Sequence, residues 1–286
     1  MRDRLAVITD SGCDLPKAYL DAHPFIHVLP LRVNFDDESY RCGMDITPDE
    51  VYARMESGGL PSTSLPSPDE VNRLLDRLIS EGVREVAFVM ISAGLSGTCD
   101  MVRSVCAQRT DVEAIVYDSR ILSMGLGYLV MDAVNLLERG ASVRDLPRLL
   151  GPKRENIEGM FYLPTLEWLI RGGRIGLVSA TVGKLLNIRP IIGVNREGKY
   201  FTKLACIGAK SIVRNVSKLT AEFANGRKFD LSVLSGNAMD EAQKLLDELR
   251  KIPGILTHTL HQLGPALAVH TGPGMLGVVV RAHEGI

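Results

Sequence analysis

The sequence predicts an α/β fold in two parts: a mostly parallel sheet with helices on both faces, then an α+β region with antiparallel strands. Three observations predict it. Through the first half, short apolar runs such as Leu5–Thr9 and Glu85–Ile91 alternate with helical stretches, the rhythm of a parallel sheet. Later the rhythm changes to strand, turn and strand around Arg196-Glu197-Gly198. The chain has 286 residues, 45% of them hydrophobic, which is enough for two such regions. The expected division is an α/β domain over residues 1–156, carrying Ser/Thr-rich loops, and an α+β domain over 157–286.

Taken in order, Leu5–Thr9 is a strand, and Pro16 sits where a helix would begin. Phe25–Leu31 is a second strand, and Leu31–Asp45 reads as a hairpin around Asp36-Asp37-Glu38. Thr47-Pro48-Asp49-Glu50 and Ser67-Pro68-Asp69-Glu70 are capping boxes with proline at the first helical position. They start helices to about Ser57 and Glu81, and Gly58–Pro66 between them reads as a hydroxyl-rich loop. The strand Glu85–Ile91 feeds a Ser/Gly/Thr loop and a helix to about Arg109. Glu113–Tyr117 is a strand, Ile121–Leu137 an apolar helix, and Ser142 starts a short helix ending near Gly151. The second part begins with a strand over Met160–Leu163 and a short helix capped by Thr165 and stopped by Gly172-Gly173. A hairpin, a helix from Ser211, a strand over Leu231–Ser235, a helix from Asp240 and three terminal strands follow.

Composition excludes several function classes. The net charge of −1 and the 5% aromatic content offer neither a nucleic-acid surface nor base-stacking platforms. The five cysteines form no C-x-x-C pair, which points to reduced thiols, no metal site and a cytoplasmic protein. Ile252–Val280 contains no Asp, Glu, Lys or Arg, but its three prolines and five glycines break it into short elements rather than a membrane span. There is no Walker A sequence, and Gly125-Leu126-Gly127 lacks the third glycine of a dinucleotide fingerprint, so no cofactor is expected.

The polar loops carry the chemistry. Ser92, Ser96, Gly97 and Thr98 follow a buried strand and open a helix, where α/β folds hold anions. Ser62, Thr63 and Ser64, between prolines, form a rigid array of donors. His270 begins the His-Thr-Gly-Pro-Gly turn, between the expected strands Ala266–Val269 and Met275–Val280. Gly94-Leu95-Ser96-Gly97-Thr98 approaches the nucleophile elbow but ends in threonine where that turn needs a small residue. Asp10-Ser11 and Asp118-Ser119 both follow apolar strands and read as caps at one sheet edge.

Six motifs in order, ITDSGCDLP, TSLPS, ISAGLSGT, YDSRILSMGLG, LEWLIRGGRIG and HTGPG, resemble the DegV family from about Val7 to Val280. The resemblance implies a two-domain α/β architecture that binds a long-chain fatty acid in a buried apolar tunnel. Its carboxylate would be held by hydroxyls and a histidine, here Thr63, Ser64, Ser92, Ser96 and His270. It further implies a substrate-binding subunit, without catalytic residues of its own, that presents the acid to a separate ATP-dependent fatty acid kinase. The acyl phosphate formed would be handed to phospholipid synthesis. Ala93 stands where a second serine is common, Leu65 where glutamine is usual, and Ile207-Gly208 where many members have Arg-Gly. Tunnel walls are expected from Ile121–Val130 and from Phe161, Leu166, Leu169, Ile170, Leu185, Leu186, Ile188 and Ile191. Arg171 and Arg174 are assigned either to kinase docking or to a helix-end ion pair. Two other readings stay open: a lipid hydrolase using Ser96 or Ser92 with His270 as base, and a regulatory lipid-binding module without a kinase.

Overall fold

The computed structural model describes residues 4–178, 188–207 and 210–284. The parallel sheet forms as its buried, β-branched runs predict, in the order β2 (Ile26–Leu29), β1 (Leu5–Asp10), β6 (Glu85–Met90) and β7 (Glu113–Asp118). One face packs under α3 (Pro68–Ser80) and α4 (Thr98–Cys106), around Val71, Leu75, Phe88 and Val102. The other packs on α5 (Met124–Glu138). Both expected capping boxes are present, at Thr47 for α2 (Pro48–Glu56) and at Ser67 for α3.

A small antiparallel sheet, β4 (Glu38–Arg41), β3 (Arg32–Phe35) and β5 (Ser62–Ser64), lies beside the main one. Here the structure differs from the sequence expectation. Ser62–Ser64 is an edge strand rather than a loop, because β3 pairs its backbone, with Thr63 opposite Val33. Three polar residues carry no strand signal of their own.

The six-stranded sheet runs β10 (Tyr200–Ile207), β9 (Ile188–Val194), β8 (Ile157–Tyr162), β13 (Met275–Ala282), β11 (Phe229–Gly236) and β12 (Ile255–Gln262). Only β11 and β12 pair in parallel; the other neighbours are antiparallel. Its outer face is covered by α8 (Lys210–Ala224) and α9 (Met239–Leu249). Its inner face meets α5, so that this helix is buried between two sheets, as its apolar surround predicts. The remaining helices are α1 (Lys17–Ala22), α6 (Leu146–Glu155), α7 (Glu167–Arg171) and α10 (Pro265–Thr271). The helix from Ser142 starts as a 3-10 turn and runs past Gly151 and Pro152, beyond the expected end.

The largest correction is α10. Ala266–Val269 was expected as a strand, and the terminal region as three strands; it is strand, helix, strand. Pro265 occupies the first helical position, and Gly272, at φ 69°, ends the helix. Ala266, Leu267, Ala268 and Val269 are all buried, so the run lacks the polar positions that distinguish a helical from a strand period. Among the described residues no helix is long and apolar enough to cross a membrane.

Candidate functional site: a polar cavity opening on an apolar cleft

The loop after β6 is fixed from both sides by aspartates. Asp10, at the end of β1, accepts from Ile91 N at 2.8 Å and from Gly12 N at 2.9 Å. Asp118, at the end of β7, accepts from Ala93 N at 3.1 Å and Arg120 N at 2.9 Å. Both strands run parallel to β6, so their ends flank its exit; Asp10 caps the 3-10 turn Ser11–Cys13 as its position predicts, whereas Asp118 caps no helix and instead holds two loops. Burial raises the Asp10 carboxyl to about 6, against the lowering effect of its two backbone donors.

Around this loop lies a cavity in which the polar groups of Thr63, Ser64, Ser96, Arg174 and His270 face one another among apolar walls that include Leu31, Leu65, Ile91, Leu95 and Ala266. Each polar group arrives on a different element. β5 places Thr63, the last turn of α10 places His270, and the chain after α7 places Arg174. Thr63 Oγ1 and His270 Nε2 are 2.8 Å apart. The other imidazole nitrogen, Nδ1, is buried with no hydrogen-bond partner in the structure. A Cβ at Gly172 would lie 2.1 Å from Nδ1, so only glycine lets α7 and α10 approach this closely. Burial, with a smaller push from the Arg174 charge, lowers His270 to about 4, so the ring is neutral at neutral pH. The Arg174 guanidinium donates from Nε to the Leu95 carbonyl (3.2 Å) and from Nη1 to the Gly172 carbonyl (2.6 Å). Among the described residues no carboxylate pairs with it. The cavity therefore holds an uncompensated positive charge, hydroxyls and a neutral imidazole, a set suited to an anion.

The cavity continues into an apolar cleft, with Leu122, Tyr200 and Leu267 lining both. The cleft, a narrow space of about 40 Å³, lies between the segment 121–123 that leads into α5, the helix α10 and the six-stranded sheet, walled by Ile121, Phe161, Leu234, Met275 and Val279 among others. Phe161 and Tyr200 meet edge-to-face there, with ring centroids 5.0 Å apart.

A family model described as DegV family matches residues 4–283. The chain belongs to the DegV family. A DegV domain-containing protein of Clostridium perfringens is 36% identical over 278 residues, covering 97% of this chain and 98% of that one. A fatty-acid-binding DegV family protein of Thermus thermophilus superposes with a TM-score of 0.90 at 31% identity, covering 98% of this chain and 100% of that one. The stearic-acid-binding protein of Eubacterium ventriosum gives a TM-score of 0.86 at 28% identity, covering 97% of this chain and 98% of that one.

Within this DegV-family chain, Thr63, Ser64, Ser96 and His270 come together at the polar cavity, and Ser92 does not. The expectation that Ser92 faces the ligand is corrected: its buried hydroxyl donates to the Gly198 carbonyl at 2.8 Å and accepts from Gly94 N at 3.1 Å. It fastens the β9–β10 turn to the loop after β6. Ser96 lines the cavity while its hydroxyl pairs with Thr98 at 2.8 Å. Ser64 lies at the exposed rim, and Asn34 Nδ2 donates to it at 3.3 Å.

Arg174 is a cavity residue that the sequence assignment did not place in the site. Arg171 makes the helix-end ion pair, 2.8 Å from Glu167, whereas Arg174 turns inward. Spacing around two glycines does not reveal which arginine turns in; two cations flanking a chain reversal were the available signal. Of the expected tunnel walls, Ile121, Leu122 and Phe161 line the cleft, whereas Leu126, Leu129, Val130 and Leu169 are packed into the core and do not line it. Ile170 is 60% exposed, and Ile191 faces the outer core under α8. Leu185, Leu186, Gly208 and the side chains of Ile188 and Ile207 lie outside the described residues.

Proposed function

We propose that this chain binds a long-chain fatty acid, with its carboxylate in the polar cavity and its acyl chain in the apolar cleft, and presents it to a separate ATP-dependent fatty acid kinase. The observation that carries the reading is the unpaired Arg174 charge beside Thr63 and His270, at a cavity that opens on an apolar cleft. The fatty acids bound by the relatives from Thermus thermophilus and Eubacterium ventriosum support it.

The residues divide the work. A carboxylate leaving water costs several kcal/mol unless it is paired. Arg174 supplies the counter-charge. With the His270 proton on Nε2, that nitrogen donates to Thr63 Oγ1 and leaves the Thr63 hydroxyl free to donate to the carboxylate. Ser64 and Ser96 add donors at the rim. These contacts orient the ligand, and the tail supplies the affinity, about 0.8 kcal/mol for each buried methylene. The exposed rim at Ser64 and Leu65 gives a kinase access to the head group. Transfer of the γ-phosphoryl group from ATP to the carboxylate then yields an acyl phosphate and ADP.

A serine hydrolase finds no nucleophile–base pair here. Ser92 bonds to Gly198, Ser96 to Thr98, and His270 to Thr63.

The test is denaturation of the purified protein and mass spectrometry of the extract, which is expected to release stoichiometric fatty acid. An empty extract, with no uptake of added fatty acid, overturns lipid binding. Incubating the loaded protein with a fatty acid kinase and ATP tests the second half. No acyl phosphate with any kinase that serves a DegV relative would leave a lipid-binding module without kinase coupling.

A further inference from the structure

β12 is an edge of the six-stranded sheet and pairs only with β11 among the described strands. Its sequence, ILTHTLHQ, lies in the stretch without Asp, Glu, Lys or Arg. An open edge is a template for another strand, and folds usually blunt it with a lysine, a bulge or a cover. The opposite edge is blunted: β10 carries a register shift between Thr202 and Leu204, with Lys203 at that point. In β12 the irregularity comes only at the start, and Thr257–Gln262 runs in regular register.

The direction of its free groups follows from one hydrogen bond. Leu263 N donates to the Ser235 carbonyl on β11 at 2.8 Å. Successive residues of a strand point their N–H and C=O to opposite edges, so Thr257, Thr259 and His261 also face β11. His258, Leu260 and Gln262 present theirs outward. The side chains of Thr257 and Thr259 bond to Asp230 and Ser232 at 2.6 and 2.8 Å, on one face of the sheet. Leu256, His258 and Leu260 share the other.

We propose that this edge pairs with β12 of a second copy, antiparallel, about a two-fold axis through His258. Leu256-Thr257-His258-Thr259-Leu260 reads the same in both directions. The axis therefore sets each His258 opposite the other, Thr257 opposite Thr259, and Leu256 opposite Leu260. The outward N–H and C=O of the two His258 residues then exchange a pair of hydrogen bonds. Leu256, 54% exposed in the single chain, is covered by the partner's Leu260. Charge favours the antiparallel sense. The start of β12 follows Arg250 and lies against Lys228, both exposed, while Lys251 beside them is paired with Glu248. Its end, at Gln262, borders an acidic hollow lined by Asp49, Asp240 and Glu241. Antiparallel pairing brings each basic start to an acidic end, and parallel pairing would bring like to like.

Sedimentation of the full chain from about 5 µM to about 500 µM is expected to show a monomer–dimer equilibrium. Amide exchange on the same samples gives the register: protection at His258 and Leu260 rises with concentration, whereas Thr257 and Thr259, already bonded to β11, stay protected throughout. H258D places two carboxylates opposite each other at the axis and is expected to weaken the dimer by about tenfold or more. H258T, which replaces them with a Thr–Thr pair, retains it. A chain that stays monomeric over the whole range overturns the proposal. So does a dimer whose His258 and Leu260 amides gain no protection, or one indifferent to H258D. Should H258D fail to fold, exchange on the unmodified chain decides.

Discussion

At the scale of single residues, the proposed head-group role of the polar cavity rests on groups held in the state that suits an anion. Thr63→Val keeps the side-chain shape and removes the hydroxyl next to His270 Nε2. Fatty-acid affinity is expected to fall by about 1.5–3 kcal/mol, the worth of a hydrogen bond to a charged acceptor, with a smaller change in the urea midpoint. Isothermal titration of the delipidated variant checks this, and unchanged affinity would remove Thr63 from the site. Titration behaviour gives a second expectation. Burial raises Asp14 to about 7, although Ser123 Oγ (2.5 Å) and Gly264 N (3.1 Å) donate to it. A raised acid binds more protons folded than unfolded, so its stabilising contribution is complete below about pH 3.8 and is lost as pH rises through about 7. His270, lowered to about 4, acts in the opposite sense: its protonation favours the unfolded chain, so stability rises with pH from about 4 to 6.5. Asp14→Asn mimics the neutral acid at every pH. Urea unfolding at about pH 4.5 and about pH 7.5 is expected to show that the variant loses less stability than the parent on going up in pH; an identical loss would mean that Asp14 is ionised in the folded chain at both.

At the scale of elements, legibility in the sequence followed how local each signal was. The capping boxes at Thr47 and Ser67 are complete within four residues and were readable. β5 was not, since its pairing partner β3 lies some thirty residues away in sequence. α10 was misread because a helix buried on every side loses its period. The site inherited both errors, as Thr63 rides on β5 and His270 on α10. Ser92 shows the same limit. Its position after a buried strand was legible, but the Gly198 carbonyl that takes its hydroxyl lies 106 residues on. A Cβ at Gly94 would lie 2.8 Å from that carbonyl oxygen, so loop and turn are in direct contact. Ser92→Ala is therefore expected to lower stability by about 1–3 kcal/mol by leaving buried groups unpaired. Its effect on fatty-acid affinity should be smaller than that of Thr63→Val. A larger loss of affinity than of stability would return Ser92 to the ligand.

At the scale of the whole molecule, the cleft lies where the segment leading into α5 and the helix α10 meet the six-stranded sheet. One continuous core runs from the parallel sheet through α5 to the inner face of the six-stranded sheet. The change of rhythm along the chain made both sheets legible, but the cleft depends on side chains from strands far apart in sequence, such as Phe161, Leu234 and Val279. Under the proposed function, that placement assigns affinity and orientation to different parts of the ligand. In the proposed binding mode the polar cavity offsets the desolvation of one carboxylate, a fixed quantity for every fatty acid. The cleft adds about 0.8 kcal/mol for each further methylene, close to fourfold in Kd, less the cost of ordering the chain. Affinity across a series of saturated acids is therefore expected to climb with length and then level off where the cleft is full. Arg174→Gln should displace the whole series to weaker binding without changing its slope, because the cation meets only the head group. Competition against a fluorescent fatty acid measures both quantities. Affinity independent of chain length would place the tail outside the cleft, and a slope that changes with Arg174→Gln would mean that the cation also shapes the apolar wall.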